Sequence, residues 1–245
     1  MRTIRIYVDQ PLKSGVEVSL PRQAAAHVGR VLRLRSGDPL VLFNGDGLDY
    51  ACELIESGAR EARVRVRAER AAAAESPLRI TLAQALARGE KMDWIVQKAT
   101  ELGVASIVPL ITERSEVKLD IARAEKRVAH WLGVATGACE QSGRARIPVM
   151  HTPVTLSSWL QSLDPQKPEA RLALLPDGEI KPRDLGRIES AVLLVVGPEG
   201  GFGESDIAAL RNAGFRALAI GPRILRTETA GIVALAALQS LYGDF

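Results

Sequence analysis

Hydrophobic and polar residues alternate in one pattern up to about residue 72 and in a different pattern after it. Up to that point the apolar residues form short runs typical of β-strands, at 4–8, 39–43, 50–55 and 62–66. The last run alternates with arginines, as a half-buried strand does, and NGDG at 44–47 predicts a hairpin turn. A single helix is predicted over 22–34, with Pro21 near its first turn. Short strands with one helix predict a small β-barrel.

A linker rich in alanine, AAAAESP at 71–77, leads to a second region in which strands and helices alternate. Strands are predicted at 78–86, 104–110, 172–175, 191–196 and 217–220. Helices are predicted at 91–102, 121–140, 204–212 and 228–241, the first of them ended by Gly103. This alternation predicts an α/β fold with a mostly parallel sheet covered on both faces. We therefore expect two domains, 1–72 and 73–245.

The amino-acid composition distinguishes between globular, disordered and membrane proteins. With 47% hydrophobic and 25% charged residues, the chain has the make-up of a globular protein rather than a disordered one. No apolar run approaches the roughly 18 residues that span a bilayer, and MRTIRIYVDQ lacks the apolar core of a secretion signal, so we expect a cytoplasmic protein without a membrane anchor. The two cysteines and three histidines match no metal spacing, which predicts no metal site and two buried thiols.

The positive charge is concentrated in the first part of the chain. The net charge is +3, and residues 1–70 hold twelve Lys and Arg against nine Asp and Glu, whereas the remainder is balanced. Such an asymmetry is compatible with an anionic partner such as nucleic acid. On charge alone, a solvated basic face with no partner is the simpler explanation.

A glycine-rich turn follows the most apolar predicted strand. The run VLLVV at 192–196 enters GPEGGFG at 197–203, and a helix follows. In open α/β sheets ligands bind at the carboxyl ends of the strands, and glycines there let the backbone approach a ligand closely. The spacing is neither that of a dinucleotide fold nor that of a phosphate loop. The turn is therefore a candidate ligand site, with a purely structural turn as the alternative.

A second such segment precedes the last helix. The sequence IGPRILRTETA at 220–230 contains Thr227 as a candidate N-cap, and Glu228 suits the positive end of the helix dipole. The helix that follows is apolar nearly all round, with Ile232, Val233 and Leu235 among its residues. Such a helix must be buried in its own domain or against another subunit. We expect a homodimer.

Together these segments resemble the C-terminal signature of the SPOUT class of knotted methyltransferases. Within that class the chain resembles the ribosomal RNA small subunit methyltransferase E family. The similarity extends to KMDWIVQKATELGV at 91–104, PLITERSEVK at 109–118 and CEQSGR at 139–144 with Pro148. In the first region it includes RIYV at 5–8, HVGRVLR at 27–33 and GD at 37–38. One departure is Ala26-His27, where many relatives carry two histidines.

The resemblance implies a PUA-like β-barrel that binds RNA, followed by an α/β-knot domain whose parallel sheet carries a C-terminal trefoil knot. It implies a homodimer that forms through the knotted domain, S-adenosylmethionine as the cofactor, and methylation of N3 of one uridine in the 16S rRNA of the small ribosomal subunit. Carried over to this chain, the cofactor-binding residues are Leu174, Leu175, Gly197, Pro198, Gly200, Gly201, Ile220, Gly221, Pro222, Ile224, Leu225 and Arg226. The alternatives are a non-catalytic RNA-binding or ribosome-assembly protein, and a SPOUT enzyme with another RNA target.

The implied reaction calls for particular side chains. Uridine N3 carries a proton that must leave, and negative charge spreads onto the ring oxygens. Glu199 and Glu228 are the candidates for taking the proton, and Arg226 is the candidate for stabilising the anion. Glu199 could instead only hold its loop, Glu228 only cap a helix, and Arg226 only pair with Glu228.

Reading the base edge requires an unpaired or flipped uridine, held through its neighbouring phosphates. The basic residues that we expect to contact phosphates are Arg5, Arg22, Arg30, Arg33, Arg35, Lys91, Arg114 and Arg144. Each of them could equally be an ordinary surface residue.

Overall fold

Two compact units make up the chain in a computed structural model. One unit comprises Met1–Glu75 with Thr136–Ile147, and the other comprises Ser76–Ala135 with Pro148–Phe245. The structure describes residues 4–58, 61–72, 75–115, 121–167, 169–189 and 191–245, with only the backbone at 121. The predicted domain boundary at 72/73 touches Ala73 and Ala74, which lie outside the described residues, as do 116–118 of the segment at 109–118.

The first unit is built on a five-stranded sheet in the order β1-β3-β4-β5-β2. Its strands are β1 (Arg5–Tyr7), β2 (Glu17–Ser19), β3 (Pro39–Phe43), β4 (Leu48–Ser57) and β5 (Ala62–Ala71). Neighbours are antiparallel except β1 and β3. In β5, Ala62, Val64 and Val66 are buried while the arginines between them face outward, as the alternation predicts. The predicted hairpin at 44–47 is confirmed by the antiparallel pairing of β3 with β4.

The helix predicted over 22–34 is wrong in its form and its end. The chain forms α1 (Arg22–Ala26), continues as a π-helical turn at His27–Val31, and then leaves the helix. Arg33 has a φ of 54°, in the left-handed region, which an α-helix cannot continue through. The short strand β2 was not predicted, because its residues, EVS, contain a single apolar position and so show no period.

The second unit contains a parallel sheet in the order β12-β10-β11-β6-β7-β8, with β9 also paired to β7. Its strands are β6 (Arg79–Ala85), β7 (Ser106–Ile111), β8 (Val149–Met150), β9 (Val154–Thr155), β10 (Ala170–Ala173), β11 (Ala191–Val196) and β12 (Arg216–Ala217). The predicted parallel α/β sheet is confirmed. The strand predicted at 217–220 is shorter than expected, and β8 and β9 were not predicted.

Five helices accompany this sheet: α2 (Lys91–Glu101), α3 (Ile121–Ser142), α4 (Leu156–Gln161), α5 (Glu204–Asn212) and α6 (Thr227–Tyr242). The structure confirms four as predicted, with ends shifted by up to two residues, whereas α4 was not predicted. The last turns of α3 belong to the first unit. In the described parts of the chain, no helix is long and apolar enough to cross a membrane.

Helix α6 packs on the sheet and against α2. It buries Ala234, Leu235 and Leu238, while Gln239 donates to the Leu102 carbonyl at the end of α2 (3.1 Å). Within its unit α6 leaves Val233 38% and Leu241 49% exposed. The apolar surface of the helix is therefore only partly covered by its own unit.

Candidate active site

Four neighbouring strands of the second unit end at the same edge of the sheet. Because β12, β10, β11 and β6 are parallel neighbours, the segments that follow them lie side by side at their carboxyl ends. These segments are 218–222, 174–175, 197–201 and 86–88. The fold thus brings together the three segments that the sequence predicts to bind the cofactor, at the edge where open α/β sheets place ligands.

The glycine loop after β11 is shaped by close contacts. The Phe202 ring, 5% exposed, lies against Gly197 so closely that a methyl group there would come within 3.1 Å of a ring carbon. Gly201 has a φ of 69°, which favours glycine. Arg114 donates from Nη1 to the Gly200 carbonyl (3.1 Å). Arg114, a predicted phosphate contact, therefore supports the glycine loop.

The end of this loop is joined to the segment after β7 through Asp206. The buried Asp206 carboxylate accepts from the backbone N–H of Gly203 (3.2 Å) and of Glu113 (3.1 Å). Ser205 donates to Glu113 Oε2 (2.5 Å). The first of these bonds satisfies the backbone donor of Gly203 at the N-cap of α5, and the other two hold the segment after β7 against the helix start.

The start of α6 is anchored to the same loop. Thr227, predicted as the N-cap, is the first helical residue, and Arg226 occupies the N-cap position. The Thr227 side chain is not available for capping because its hydroxyl donates to the Gly197 carbonyl (2.6 Å) and accepts from Gln84 Nε2 (3.0 Å). Gln84 is fully buried in β6 and also donates to the Ala85 carbonyl (3.0 Å). One hydroxyl thus connects strand, glycine loop and helix.

A cluster of four charges, Lys91, Glu199, Arg226 and Glu228, lies beside this anchor. Lys91 Nζ is 2.9 Å from Glu199 Oε1 and 3.7 Å from Glu228 Oε2. Glu199 Oε1 also accepts from the backbone N–H of Arg88 (3.1 Å). Arg226 is close enough to act electrostatically on Lys91. The structure therefore groups the three predicted catalytic residues with Lys91, which the sequence assigned to RNA.

The ion pair shifts the pKa of both partners in the expected directions. The hydrogen bond to Glu199 raises the pKa of Lys91 above its ordinary value. Burial alone raises the pKa of Glu199, but the hydrogen bonds from Lys91 and from the Arg88 backbone outweigh it, so the pKa of Glu199 is lowered. Both groups are consequently charged at neutral pH.

An apolar-walled cleft of about 760 Å³ adjoins the segment after β12. Its walls are residues 219–222, the α6 side chains Val233, Ala237 and Leu241, and residues 181–183. Its volume lies within the range of about 300–1,000 Å³ typical of small-molecule sites. The four-charge cluster and residues 174–175 and 197–201 do not line it. Of the predicted cofactor residues, only Ile220, Gly221 and Pro222 do.

Four of the predicted phosphate contacts lie between residues 22 and 35 of the first unit, in α1, in the π-helical turn and just after it. Arg22, Arg30, Arg33 and Arg35 are exposed, and no ion pair is found for them among the described residues. Val31, 67% exposed, lies among them. Within the described part of the chain these exposed arginines have no carboxylate partner, so their charge is available to an anionic ligand.

Two other predicted contacts, Arg5 and Arg144, are held inside the first unit. Arg5 forms an ion pair with Asp49 (2.5 Å), both side chains being 8% exposed, and lies 4.9 Å from the centre of the Phe43 ring. Arg144 pairs with Glu75 (2.6 Å), and its own carbonyl accepts from Arg5 Nη2 (3.0 Å). This placement gives both residues a role in the unit's packing rather than at its surface.

The arginines of β5 are exposed but paired. Arg63 contacts Glu56 (3.0 Å), Arg65 contacts Glu17 (2.6 Å) and Arg67 contacts Glu53 (2.6 Å). Their charges are thus largely neutralised, unlike those around α1.

Comparison with known proteins agrees with this architecture. A family model described as an RNA methyltransferase domain matches residues 74–239, and one described as an RNA methyltransferase PUA domain matches residues 20–67. A ribosomal RNA small subunit methyltransferase E from Buchnera aphidicola is 32% identical, over 99% of this chain and 98% of its own length. The protein of that name from Bacillus subtilis is 30% identical, over 94% of this chain and 92% of its own.

This chain belongs to the ribosomal RNA small subunit methyltransferase E family. Among solved structures, a family member from Neisseria gonorrhoeae bound to S-adenosylmethionine is 37% identical and covers both chains fully, with a TM-score of 0.94. A Legionella pneumophila protein solved with the same cofactor is 41% identical, also over both full chains, with a TM-score of 0.95.

One residue of the candidate site, Gln84, escaped the sequence analysis, and Lys91 was assigned to RNA without its partners. The sequence could have identified Gln84, because a single amide in the apolar run TLAQALA is unusual for a buried strand. Lys91 was identified, but its partners were not. They lie more than a hundred positions away in the chain, beyond the reach of local spacing.

Proposed function

We propose that this protein is an S-adenosylmethionine-dependent methyltransferase that methylates N3 of one uridine in the 16S rRNA of the small ribosomal subunit, in the cytoplasm. The observation that carries the proposal is the position of the four-charge cluster. Arg226 and Glu228 begin α6 beside the glycine loop, where an anionic base edge needs both a cation and a proton acceptor. The names of the relatives support the rRNA substrate, and N3 is our specific assignment.

For the cofactor, the candidate residues fit in their chemistry. Leu174 and Leu175 follow β10, Gly197, Pro198, Gly200 and Gly201 follow β11, and Ile220, Gly221, Pro222, Ile224, Leu225 and Arg226 follow β12. Added methyl groups at Gly201 and Gly221 would meet no neighbouring atom, so open space lies next to the backbone at both. Apolar walls suit an adenine ring, and backbone groups at strand ends suit its polar edges.

Bound S-adenosylmethionine supplies a methyl group whose bond to the sulfonium sulfur breaks as N3 attacks. The residues of this chain must orient the uridine, take its N3 proton and stabilise the charge left on the ring. We assign the proton to Glu228, because its Oε2 is buried and has no hydrogen-bond partner among the described residues. Glu199 Oε1 already accepts two hydrogen bonds, so we assign Glu199 to holding the loop.

Arg226 is our candidate for stabilising the anion. Its side chain is exposed at the N-cap of α6 while Lys91 neutralises the nearby glutamates. A guanidinium stays charged and can donate to one of the ring oxygens beside a deprotonated N3, which leaves N3 itself open to the methyl group.

The deciding experiment is methylation of small subunits from a strain lacking the gene, followed by nuclease digestion and mass spectrometry of the nucleosides. N3-methyluridine must appear with the wild type. Arg226→Ala is expected to lose turnover with little change in cofactor affinity, whereas Arg216→Ala, an exposed arginine in β12, should behave as the wild type. Methylation at another atom would refute the N3 assignment, and absence of cofactor binding by calorimetry would refute the enzyme.

The RNA-binding surface that we propose for the first unit is formed by Arg22, Arg30, Arg33 and Arg35. Each phosphate contact contributes about 0.7–0.9 to the slope of log affinity against log salt. Arg30→Ala with Arg33→Ala should therefore reduce the slope by about 1.4–1.8. Arg63→Ala with Arg65→Ala on β5 is the matched control, and an equal reduction there would place the RNA elsewhere.

We also propose a homodimer formed through the second unit. Support comes from the apolar residues that α6 leaves uncovered, Val233 and Leu241, and from Ile224, whose side chain is fully exposed. A second copy would remove this surface from water. Light scattering at micromolar concentration should give a dimer mass, and Leu241→Glu should give a monomer. A monomeric wild type would refute the dimer.

The trefoil knot remains our proposal for the C-terminal path of the chain. Its support is that the connection between β10 and β11 reaches the C-terminal segment: Ile180 pairs with Leu218, and Tyr242 donates to the Pro182 carbonyl (2.9 Å). A knotted chain pulled by its termini stops short of its full contour length. Full extension in optical tweezers would exclude the knot.

A further inference from the structure

Lys91 holds an unusual position for a residue expected to bind RNA. It is the first residue of α2, and its ammonium lies between Glu199 Oε1 (2.9 Å) and Glu228 Oε2 (3.7 Å). Its side chain is one-third exposed, less than those of the paired arginines on β5. To reach a phosphate it would have to leave two carboxylates without their cation.

The partners of Lys91 come from different segments of the sheet edge. Glu199 belongs to the loop after β11 and also accepts from the Arg88 backbone after β6, while Glu228 lies in the first turn of α6. One ammonium thus connects the glycine loop to the helix that carries the proposed proton acceptor. The anchor formed by Thr227 joins the same two segments on their buried side.

We propose that Lys91 is a positioning residue for methyl transfer, which holds the Glu199 loop for the cofactor and orients the Glu228 carboxylate toward the base, and that it does not contact RNA phosphates. This inference rests on the proposed function. Among the described residues, Lys91 from α2 pairs with both carboxylates and the backbone N–H of Arg88 binds Glu199, while Arg226 at the start of α6 acts electrostatically on Lys91. Removing Lys91 leaves two neighbouring carboxylates with one cation fewer, and it takes away the hydrogen bond that lowers the pKa of Glu199.

The test compares Lys91→Met with Lys91→Arg and with Lys98→Met. Lys98 lies on the same helix and also pairs with a glutamate, Glu101 (2.9 Å), away from the cluster. Three quantities are measured on each protein: cofactor affinity by calorimetry, single-turnover methylation of small subunits between pH 6 and 9, and the salt dependence of RNA affinity.

For Lys91→Met we expect cofactor affinity and methylation at pH 7 each to fall about ten-fold, with the acidic limb of the pH profile moving to higher pH. The salt slope of RNA binding should not change. Lys91→Arg should recover most of the activity, and Lys98→Met should match the wild type. A wild-type pH profile and cofactor affinity with a salt slope reduced by about 0.7–0.9 would show that Lys91 is a phosphate contact after all.

Glu199→Gln tests the same contact if Lys91→Met does not fold. Positioning predicts weaker cofactor binding with unchanged RNA affinity, whereas a phosphate-binding Lys91, released from its partner, predicts tighter RNA binding. If the wild type forms no N3-methyluridine, the proposed function fails. The cofactor affinities of these variants still decide whether Lys91 holds the loop.

Discussion

The hydroxyl of Thr227 offers the sharpest test of how the site is assembled. Thr227→Val keeps the shape of the side chain and removes only the group that donates to the Gly197 carbonyl and accepts from Gln84 Nε2. Both hydrogen bonds are lost without opening a cavity. The variant therefore isolates the connection between β6, the glycine loop and α6.

The loss of stability in Thr227→Val can be estimated from the burial of the two groups that lose their partner. Gln84 is fully buried, so the N–H that loses Thr227 cannot turn to water, and leaving it unpaired costs about 1–3 kcal/mol. The Gly197 carbonyl is only half-buried and can be hydrated, so its loss costs about 0.5–1.5 kcal/mol. A total of roughly 3 kcal/mol lowers the Tm of a protein of this size by roughly 6–12 °C. Because the bond also holds the loop, we expect cofactor affinity to fall roughly ten-fold.

Calorimetry measures both effects, with scanning for the unfolding transition of the second unit and titration for the cofactor. Thr100→Val is the matched control, since it also removes a buried hydroxyl from this unit, one that donates to the Val96 carbonyl within α2 (2.7 Å). It should cost about 1 kcal/mol and leave cofactor affinity unchanged. A Thr227→Val protein as stable as the wild type, or a cofactor affinity equal to that of Thr100→Val, would refute the reasoning.

Three further outcomes are expected. Gly197→Ala forces a methyl group against the Phe202 ring and should cost about 1–3 kcal/mol with weaker cofactor binding by calorimetry; unchanged affinity would contradict this. Arg5→Met removes the close partner of the buried Asp49 carboxylate, which keeps Arg70 at 3.8 Å, and should destabilise the first unit by about 3 kcal/mol in scanning calorimetry without altering cofactor affinity in the second. Burial raises the pKa of the Cys52 and Cys139 thiols to about 11, so at pH 8 they stay protonated, and iodoacetamide should modify neither until urea unfolds the protein; rapid labelling of the native protein, read by mass spectrometry, would contradict it.

Elements with long or regular apolar patterns were predictable, and short ones were not. The strand at 191–196 and the helix at 204–212 have the predicted bounds, because burial on both faces or on one stripe imposes a visible period. The two-residue strands β8 and β9 owe their place to pairing with β7, which local sequence does not record. The helix predicted at 22–34 changes to a π-helical turn at His27 and cannot resume beyond the left-handed Arg33, and the residue types indicate neither feature.

The candidate site was also predictable only in part. Its location was predictable, since glycines after an apolar strand mark a ligand-binding edge in a parallel sheet. The partners of its charged side chains were not. Arg5 and Arg144 differ from Arg30 only in what the fold places beside them, carboxylates for the first two and no ion-pair partner among the described residues for the third.

By itself, the sequence determined the α/β class, the two-region organisation and the segments that form the sheet edge, because these depend on periodicities and motifs within a few residues of one another. Only the tertiary structure decided that Lys91 lies between Glu199 and Glu228 and that Thr227 bonds the glycine loop instead of capping its helix. Hydrogen bonds and ion pairs require atoms within about 3–4 Å. For residues 30 to more than a hundred positions apart, as these are, that distance is set by how strands and helices pack, not by local spacing.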